Sequence, residues 1–380
     1  DPLLLSFLNQ FNNYQKKKIN KLALYHQKNF KNVIVLGTGG SSKSGRTFVQ
    51  IAYRTFGRNP KFPKITFLEN IDFQDFNDLF KKINLKKTGV IVISKSGETN
   101  ETLVQFLIFL SKYEKSFQKD KIYKHFTVIT KTGSSALRNL ANDFSIVVID
   151  LDNNLSGRFS AFSPVGLLPA AISGLNINKI TEGALSLLKK SLKKQQSIPS
   201  EGAALHYAAQ NSKINISVLL TYTERLRNFG FWHEQLIAES LGKKNMGFTP
   251  IHSMGATDQH SLLQLFLEGP KDKLITFITL KKQKDQIKIN NNLISKVKKL
   301  SFLKKESLNK LLNFEMEKVC RLLNQYKRPY RTIILNKCTE FEIGYLMMNF
   351  MLETIILAHL NNLNPFDQPA IDKGKSVNLK

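Results

Sequence analysis

Cysteine is scarce in this chain of 380 residues, with Cys320 and Cys338 the only two. Neither lies in a Cys-x-x-Cys pattern or a metal-ligand cluster, so both read as buried free thiols in a reducing compartment, the cytoplasm. A secretory signal is not expected either. Asp1-Pro-Leu-Leu-Leu5 has an apolar patch, but no basic region precedes it and no small-residue cleavage site follows. No uncharged apolar run reaches membrane-spanning length, so no membrane role is expected. Histidines and carboxylates do not fall at metal-ligand spacing, and neither a metal nor another cofactor is expected. Acidic residues are few, 29 against 56 lysines and arginines, for a net charge of +27. Such an excess can be a nucleic-acid footprint. Here the lysines are dispersed (Lys16 to Lys18, Lys189 and Lys190, Lys281 and Lys282, Lys298 and Lys299) without interleaved aromatics. They read as solvated helix faces and loops, and no nucleic-acid partner is expected. The positive field still favours collection of a small anionic substrate.

What is present points to an α/β protein. The chain is too long for one ordinary core and fits two domains. Between residues 32 and 151, five short apolar runs alternate with amphipathic stretches: 33–36, 64–68, 89–93, 126–129 and 146–149. Continuous apolar runs suit strands buried on both faces, and the intervening segments are long enough for crossover helices. Four more runs follow at 216–221, 248–251, 274–278 and 332–335. The expectation is two doubly wound parallel-sheet domains, 31–200 and 201–345. A helical segment, 1–30, precedes them, and a helix and tail, 346–380, close the chain. Phe341 to Leu360 reads as one apolar helix.

Five segments carry candidate chemistry. Gly37-Thr-Gly-Gly-Ser-Ser-Lys-Ser-Gly45 follows a strand, where glycines allow a ligand to approach the backbone; a tight strand-to-helix turn would use the same residues. Ser94-Lys-Ser-Gly-Glu-Thr-Asn-Glu-Thr102 puts hydroxyls and Lys95 at a helix start, which makes a phosphate cradle or simply an N-cap. In Ser156-Gly-Arg-Phe159, Arg158 can face a developing oxyanion or be a surface cation. Gln235 and Glu239 lie four apart on one helix face just before Gly242, so Glu239 can project from a helix end as a base. His260, beside Asp258, Gln259 and Ser261, can exchange protons near neutral pH. For Glu239 and His260 taken singly, a solvated carboxylate and a locally bonded imidazole are the better fit. Asn364 to Lys375 reads as an ordered loop leading into a final helix, or as a frayed basic end.

Taken together and in order, these segments resemble the glucose-6-phosphate isomerases, over nearly the whole chain from Gly37 to Lys375. The resemblance implies two flavodoxin-like sugar-isomerase domains, a phosphorylated hexose as substrate, and reversible isomerisation between glucose and fructose 6-phosphates. It implies that Gly40 and Ser41 approach the sugar and that Ser94, Lys95, Ser96 and Thr99 hold its phosphate. Gln235 and Gln368 line the pocket, Glu239 moves the proton between C2 and C1, and Arg158 stabilises the enediolate. His260, with Lys375, opens the ring. In this family the equivalent histidine enters from the neighbouring subunit, so a homodimer with a shared site is implied. Thr38, Ser156, Ala370 and Asp372 depart from the common family pattern without removing a catalytic group. The rival readings are an isomerase that prefers another sugar, such as mannose 6-phosphate, and a silent sugar-phosphate sensor. Such a sensor should lack Glu239, His260 or Lys375, and all three are present.

Overall fold

The computed structural model describes residues 2–53, 59–193, 197–281, 290–303 and 308–375. Lys282, in one of the lysine pairs, lies outside them. All nine expected strands form. The first sheet holds β1 (Asn32–Leu36), β2 (Lys64–Leu68), β3 (Thr88–Ile93), β4 (Phe126–Lys131) and β5 (Val147–Leu151), in the order β2-β1-β3-β4-β5 and parallel throughout. The second holds β6 (Ile216–Thr221), β7 (Thr249–Met254), β8 (Lys273–Leu280) and β9 (Tyr330–Leu335), in the order β7-β6-β8-β9 and again parallel.

Apolar runs rather than alternating patterns are required because both faces of the first sheet are covered. Along β1, Val33 and Val35 join one core while Ile34 and Leu36 join another. On the second of these faces lies the helix Asn100–Glu114, which packs Phe106, Phe109, Leu110 and Tyr113 inward. The opposite face carries the helices Lys43–Tyr53 and Pro164–Ile172. That core continues into the second sheet through Leu219 and Ile278, and into Met347, Phe350 and Met351 of the helix Glu340–Leu360. The helices Ile177–Lys193 and Glu340–Leu360 cross closely, through two glycines. A Cβ on Gly183 would strike the carbonyl of Phe341, and one on Gly344 would strike that of Ile180.

The helix Glu340–Leu360 has the length and apolarity to cross a membrane, yet 72% of its most apolar window is buried within the protein. Midway along it Glu353 takes a bidentate ion pair from Arg331, at 3.0 and 2.7 Å, and lies 3.1 Å from His206. The helix is therefore the central column of a protein core with an internal ion-pair cluster. At the amino end, Phe7 of the helix Pro2–Asn9 packs against Phe159 and Phe366, so this short helix backs both the Arg158 segment and the carboxy-terminal loop.

Candidate active site

The strand order of the first sheet reverses between β1 and β3, and ligands of open α/β sheets bind outside the carboxyl ends at such a point. There the chain leaves β1 through Gly37, whose Cβ would lie 2.8 Å from the carbonyl oxygen of Ile93 at the end of β3. Gly39 has φ +53°, a conformation that favours glycine. Gly40 faces the backbone of Gly157, and a Cβ on Gly40 would sit 2.6 Å from its carbonyl carbon. Glycine here is thus a packing requirement, which brings the first loop against the segment carrying Arg158. Ser42 donates to the carbonyl of Gly39 and to Glu69, which also pairs with Arg46, and so pins the loop from behind.

The second loop leaves β3. Thr99 occupies the N-cap position of the helix Asn100–Glu114 but makes no side-chain capping bond. Its hydroxyl instead lies 3.0 Å from that of Ser94 and 3.4 Å from that of Ser96. The backbone N–H groups of Gly97 and Glu98 donate to the Ser94 and Ser96 hydroxyls at 3.1 and 3.2 Å. Three hydroxyls, a half-buried Lys95 and the start of a fifteen-residue helix are thus gathered at the carboxyl end of β3. Gly97, at φ +71°, permits the tight turn, pressed against Ser135.

Glu239 sits in the last turn of the helix Arg227–Leu241, which Gly242 ends. One carboxylate oxygen accepts from Gln235 Nε2 at 2.8 Å and the other from Arg158 at 2.9 Å. The carboxylate is 34% exposed while Arg158 is only 1% exposed, so the cation is interior and the acid faces the cleft. Every nitrogen of the Arg158 side chain is used. Nε donates to Ser240 Oγ (2.8 Å), NH1 also to Gln368 Oε1 (2.8 Å), and NH2 to the carbonyls of Pro365 and Asp367 (both 2.7 Å). A buried guanidinium with this many acceptors is held as a fixed positive charge. Trp232 donates to the Arg158 carbonyl at 3.2 Å, fixing its backbone as well. The amide oxygen of Gln235 is buried and has no hydrogen-bond partner among the described residues, and its Nε2 lies 3.3 Å from a Cβ built on Gly39.

A cavity of about 790 Å³ opens beside Glu239, walled by Lys243 and by Asp367, Gln368 and Ile371 of the carboxy-terminal stretch. Lys243 donates to Asp367 Oδ1 at 2.6 Å and to the Asp367 carbonyl at 2.7 Å. Burial pushes the Lys243 ammonium below its ordinary range, with Asp367 opposing that shift.

The structure thus brings Arg158, Gln235, Glu239 and Gln368 into one bonded network, with Gly40 and Ser41 alongside in the first loop. Ser94, Lys95, Ser96 and Thr99 form a second group on the neighbouring strand end. His260 stands apart, exposed at the end of a 3₁₀ turn, Thr257–His260, after edge strand β7. Among the described residues none hydrogen-bonds its imidazole. The final helix runs Pro369–Lys375, but the side chain of Lys375 lies outside what the structure describes. Among the described residues there is no group of three His, Cys, Asp or Glu side chains arranged to hold a metal. Sequence reasoning missed Ser240, Lys243 and Asp367. The first two sit inside the Gln235-to-Pro250 segment, but their partners Arg158 and Asp367 are distant in the chain, and no local spacing signals that.

Comparison with known proteins agrees with the geometry. The phosphoglucose isomerase profile matches residues 9–380. A probable glucose-6-phosphate isomerase of Methanococcus maripaludis is 34% identical over 355 residues, covering 93% of this chain and 78% of the relative. The glucose-6-phosphate isomerase of Carboxydothermus hydrogenoformans is 31% identical over 376 residues, covering 95% and 80%. A crystal structure of a hypothetical protein from Thermus thermophilus superposes with a TM-score of 0.87 at 28% identity, covering 97% of this chain and 89% of that one. The profile match over residues 9–380 and these relatives place the chain in the phosphoglucose isomerase family.

Proposed function

We propose that the chain interconverts glucose 6-phosphate and fructose 6-phosphate in the cleft around Glu239, with Glu239 as the base that carries the proton. The observation behind this is the asymmetry of the Arg158–Glu239 pair: a buried, fully bonded cation against a carboxylate one-third exposed at a helix end. Removing the C2 proton of the open-chain aldose puts negative charge on the enediolate oxygens. The fixed Arg158 charge stabilises it, the hydroxyl proton passes from O2 to O1, and Glu239 returns the carbon-bound proton to C1, leaving the C2 carbonyl of the ketose. Bond order changes only by proton removal and return, so the reaction calls for no redox partner.

The hydroxyls of Ser94, Ser96 and Thr99, with Lys95, suit the substrate's phosphate, helped by the helix start. Gly40 and Ser41 suit close approach of the sugar, and the unpartnered Gln235 oxygen and Gln368 suit its hydroxyls. Two sugar-isomerase domains, 31–200 and 201–345, fit the two parallel sheets, with 1–30 and 346–380 as flanking elements. His260, exposed and away from the Glu239 network, fits ring opening in the site of a partner subunit, with Lys375 beside it, in a cytoplasmic homodimer.

The experiment mixes two inactive variants under subunit exchange. Glu239→Gln should lose about two to four orders of magnitude in turnover, and His260→Ala should be impaired in ring opening. If His260 serves the partner's site, a mixed dimer has one site with both lesions and one with neither, and activity reappears. A mixture that stays inactive, with exchange verified by mass, refutes the shared site.

A further inference from the structure

Residues 364–368 cross the cleft beside Glu239 as irregular chain, without a sheet ladder to satisfy their carbonyls. Two cations do so instead. Arg158 NH2 takes the carbonyls of Pro365 and Asp367, both at 2.7 Å. Lys243 Nζ takes the carbonyls of Asn364 and Asp367 and the Asp367 carboxylate. The Asp367 carbonyl is therefore shared by both. An ammonium has three protons, and here it meets three acceptors. The Lys243 side chain is only 10% exposed, and that burial is tolerated because every donor is used. Its neighbour Lys244 is exposed and reaches only the carbonyl of Asn362, at 3.4 Å.

Position in the chain gives the contact its meaning. Lys243 follows Gly242 directly and stands four residues after Glu239, so one short segment carries both the carboxylate and the anchor of the crossing strap. At the strap's other end, Gln368 shares Arg158 NH1 with Glu239. Loss of the anchor would leave the strap's carbonyls bonded to Arg158 beside the packing of Phe366 against Phe7 and Phe159, and strap motion would pass through the guanidinium to the carboxylate.

We propose that Lys243 is a positioning residue of this isomerase: it ties the Asn364–Gln368 strap to the end of the Glu239 helix so that Glu239, Arg158 and Gln368 keep one geometry. This rests on the reading of Glu239 as the base. Displacing a reacting group by about 1 Å can cost on the order of 100-fold in rate, so Lys243→Met should lower kcat by roughly 10- to 100-fold while KM stays within about threefold. Lys243→Arg should restore most of kcat, since a guanidinium also has donors for all three acceptors. Lys244→Met should match wild type.

The overturning results are specific. Wild-type kcat in Lys243→Met contradicts the proposal. So does a raised KM with unchanged kcat, which would make Lys243 a substrate-binding group, or an arginine variant no better than methionine. If Lys243→Met does not fold, Asp367→Asn, which alters the more exposed member of the clamp, decides: a several-fold drop in kcat supports the clamp and an unchanged kcat refutes it. Glu239→Gln assayed alongside separates the two readings. An active Glu239→Gln overturns the base, whereas an inactive Glu239→Gln beside a fully active Lys243→Met overturns only the anchor.

Discussion

Gly40 and Gly157 stand backbone to backbone, close enough that a Cβ on Gly40 would lie 2.6 Å from the Gly157 carbonyl carbon and 2.8 Å from its Cα. The reverse substitution is gentler, because a Cβ on Gly157 would meet Gly40 Cα at 3.4 Å. Gly40→Ala should push the first loop away from the Arg158 segment, with kcat/KM falling on the order of 100-fold and stability by about 1–3 kcal/mol. Gly157→Ala should be clearly milder on both counts. Steady-state kinetics and urea unfolding of the two variants check the order, and a reversed order would show that the contact does not set the site.

The hydroxyl cluster leads to a prediction about binding. Ser96→Ala combined with Thr99→Ala removes two of the three hydroxyls and keeps the bond from the Gly97 N–H to Ser94. Affinity for a phosphorylated sugar should fall by roughly 10-fold or more, given about 1.5–3 kcal/mol for hydrogen bonds to a charged group. Affinity for the sugar without phosphate should change far less. Calorimetric titration of both ligands reads the difference, and equal weakening would place the phosphate elsewhere.

Much of this is legible in the sequence, and the remainder has a common cause. The inner strands announce themselves because β1, β3, β4, β6 and β8 are almost wholly buried, so long apolar runs survive. Glu239 and Gln235 are readable as a pair because four residues is one helical turn. Thr99 is ambiguous: a threonine before a helix implies a cap, and only the fold shows its hydroxyl turned to Ser94 and Ser96 instead. Arg158 cannot be told from a surface cation by sequence, since its acceptors at Pro365 and Asp367 come from the far end of the chain. Glu353 draws no notice within an apolar helix, because its partners Arg331 and His206 come from a strand and another helix.

Buried histidines give the protein an acid limb. Burial lowers His26 to about 4, and lowers His233 to about 3 with Glu353 pulling the other way. As pH falls below about 6.5 the unfolded chain takes up these protons and the folded chain does not, so stability is lost from there down to about 4 for His26 and about 3 for His233. Glu353 extends the loss. Burial raises its pKa, but Arg331 and His206 outweigh that and hold it at about 2, so its contribution disappears as pH drops from about 4.5 toward 2. His26 lies far from the cleft, bonded to Thr127 Oγ1 at 3.0 Å. His26→Gln should leave activity unchanged and make the decline between pH 6 and 4.5 shallower by about 1.4 kcal/mol per pH unit. Urea unfolding across that range is the check, and parallel curves would mean that His26 protonates in the folded state.

The most direct measurement follows the proton itself. Wild-type protein and Glu239→Gln are incubated with fructose 6-phosphate in deuterium oxide, and deuterium at C1 and C2 of the sugars is read by nuclear magnetic resonance. With Glu239 as the base, wild type labels these carbons while Glu239→Gln, still binding the sugar phosphate, labels them slower by about two to four orders of magnitude. Labelling at the wild-type rate in Glu239→Gln would contradict the account, because another group would then be moving the proton.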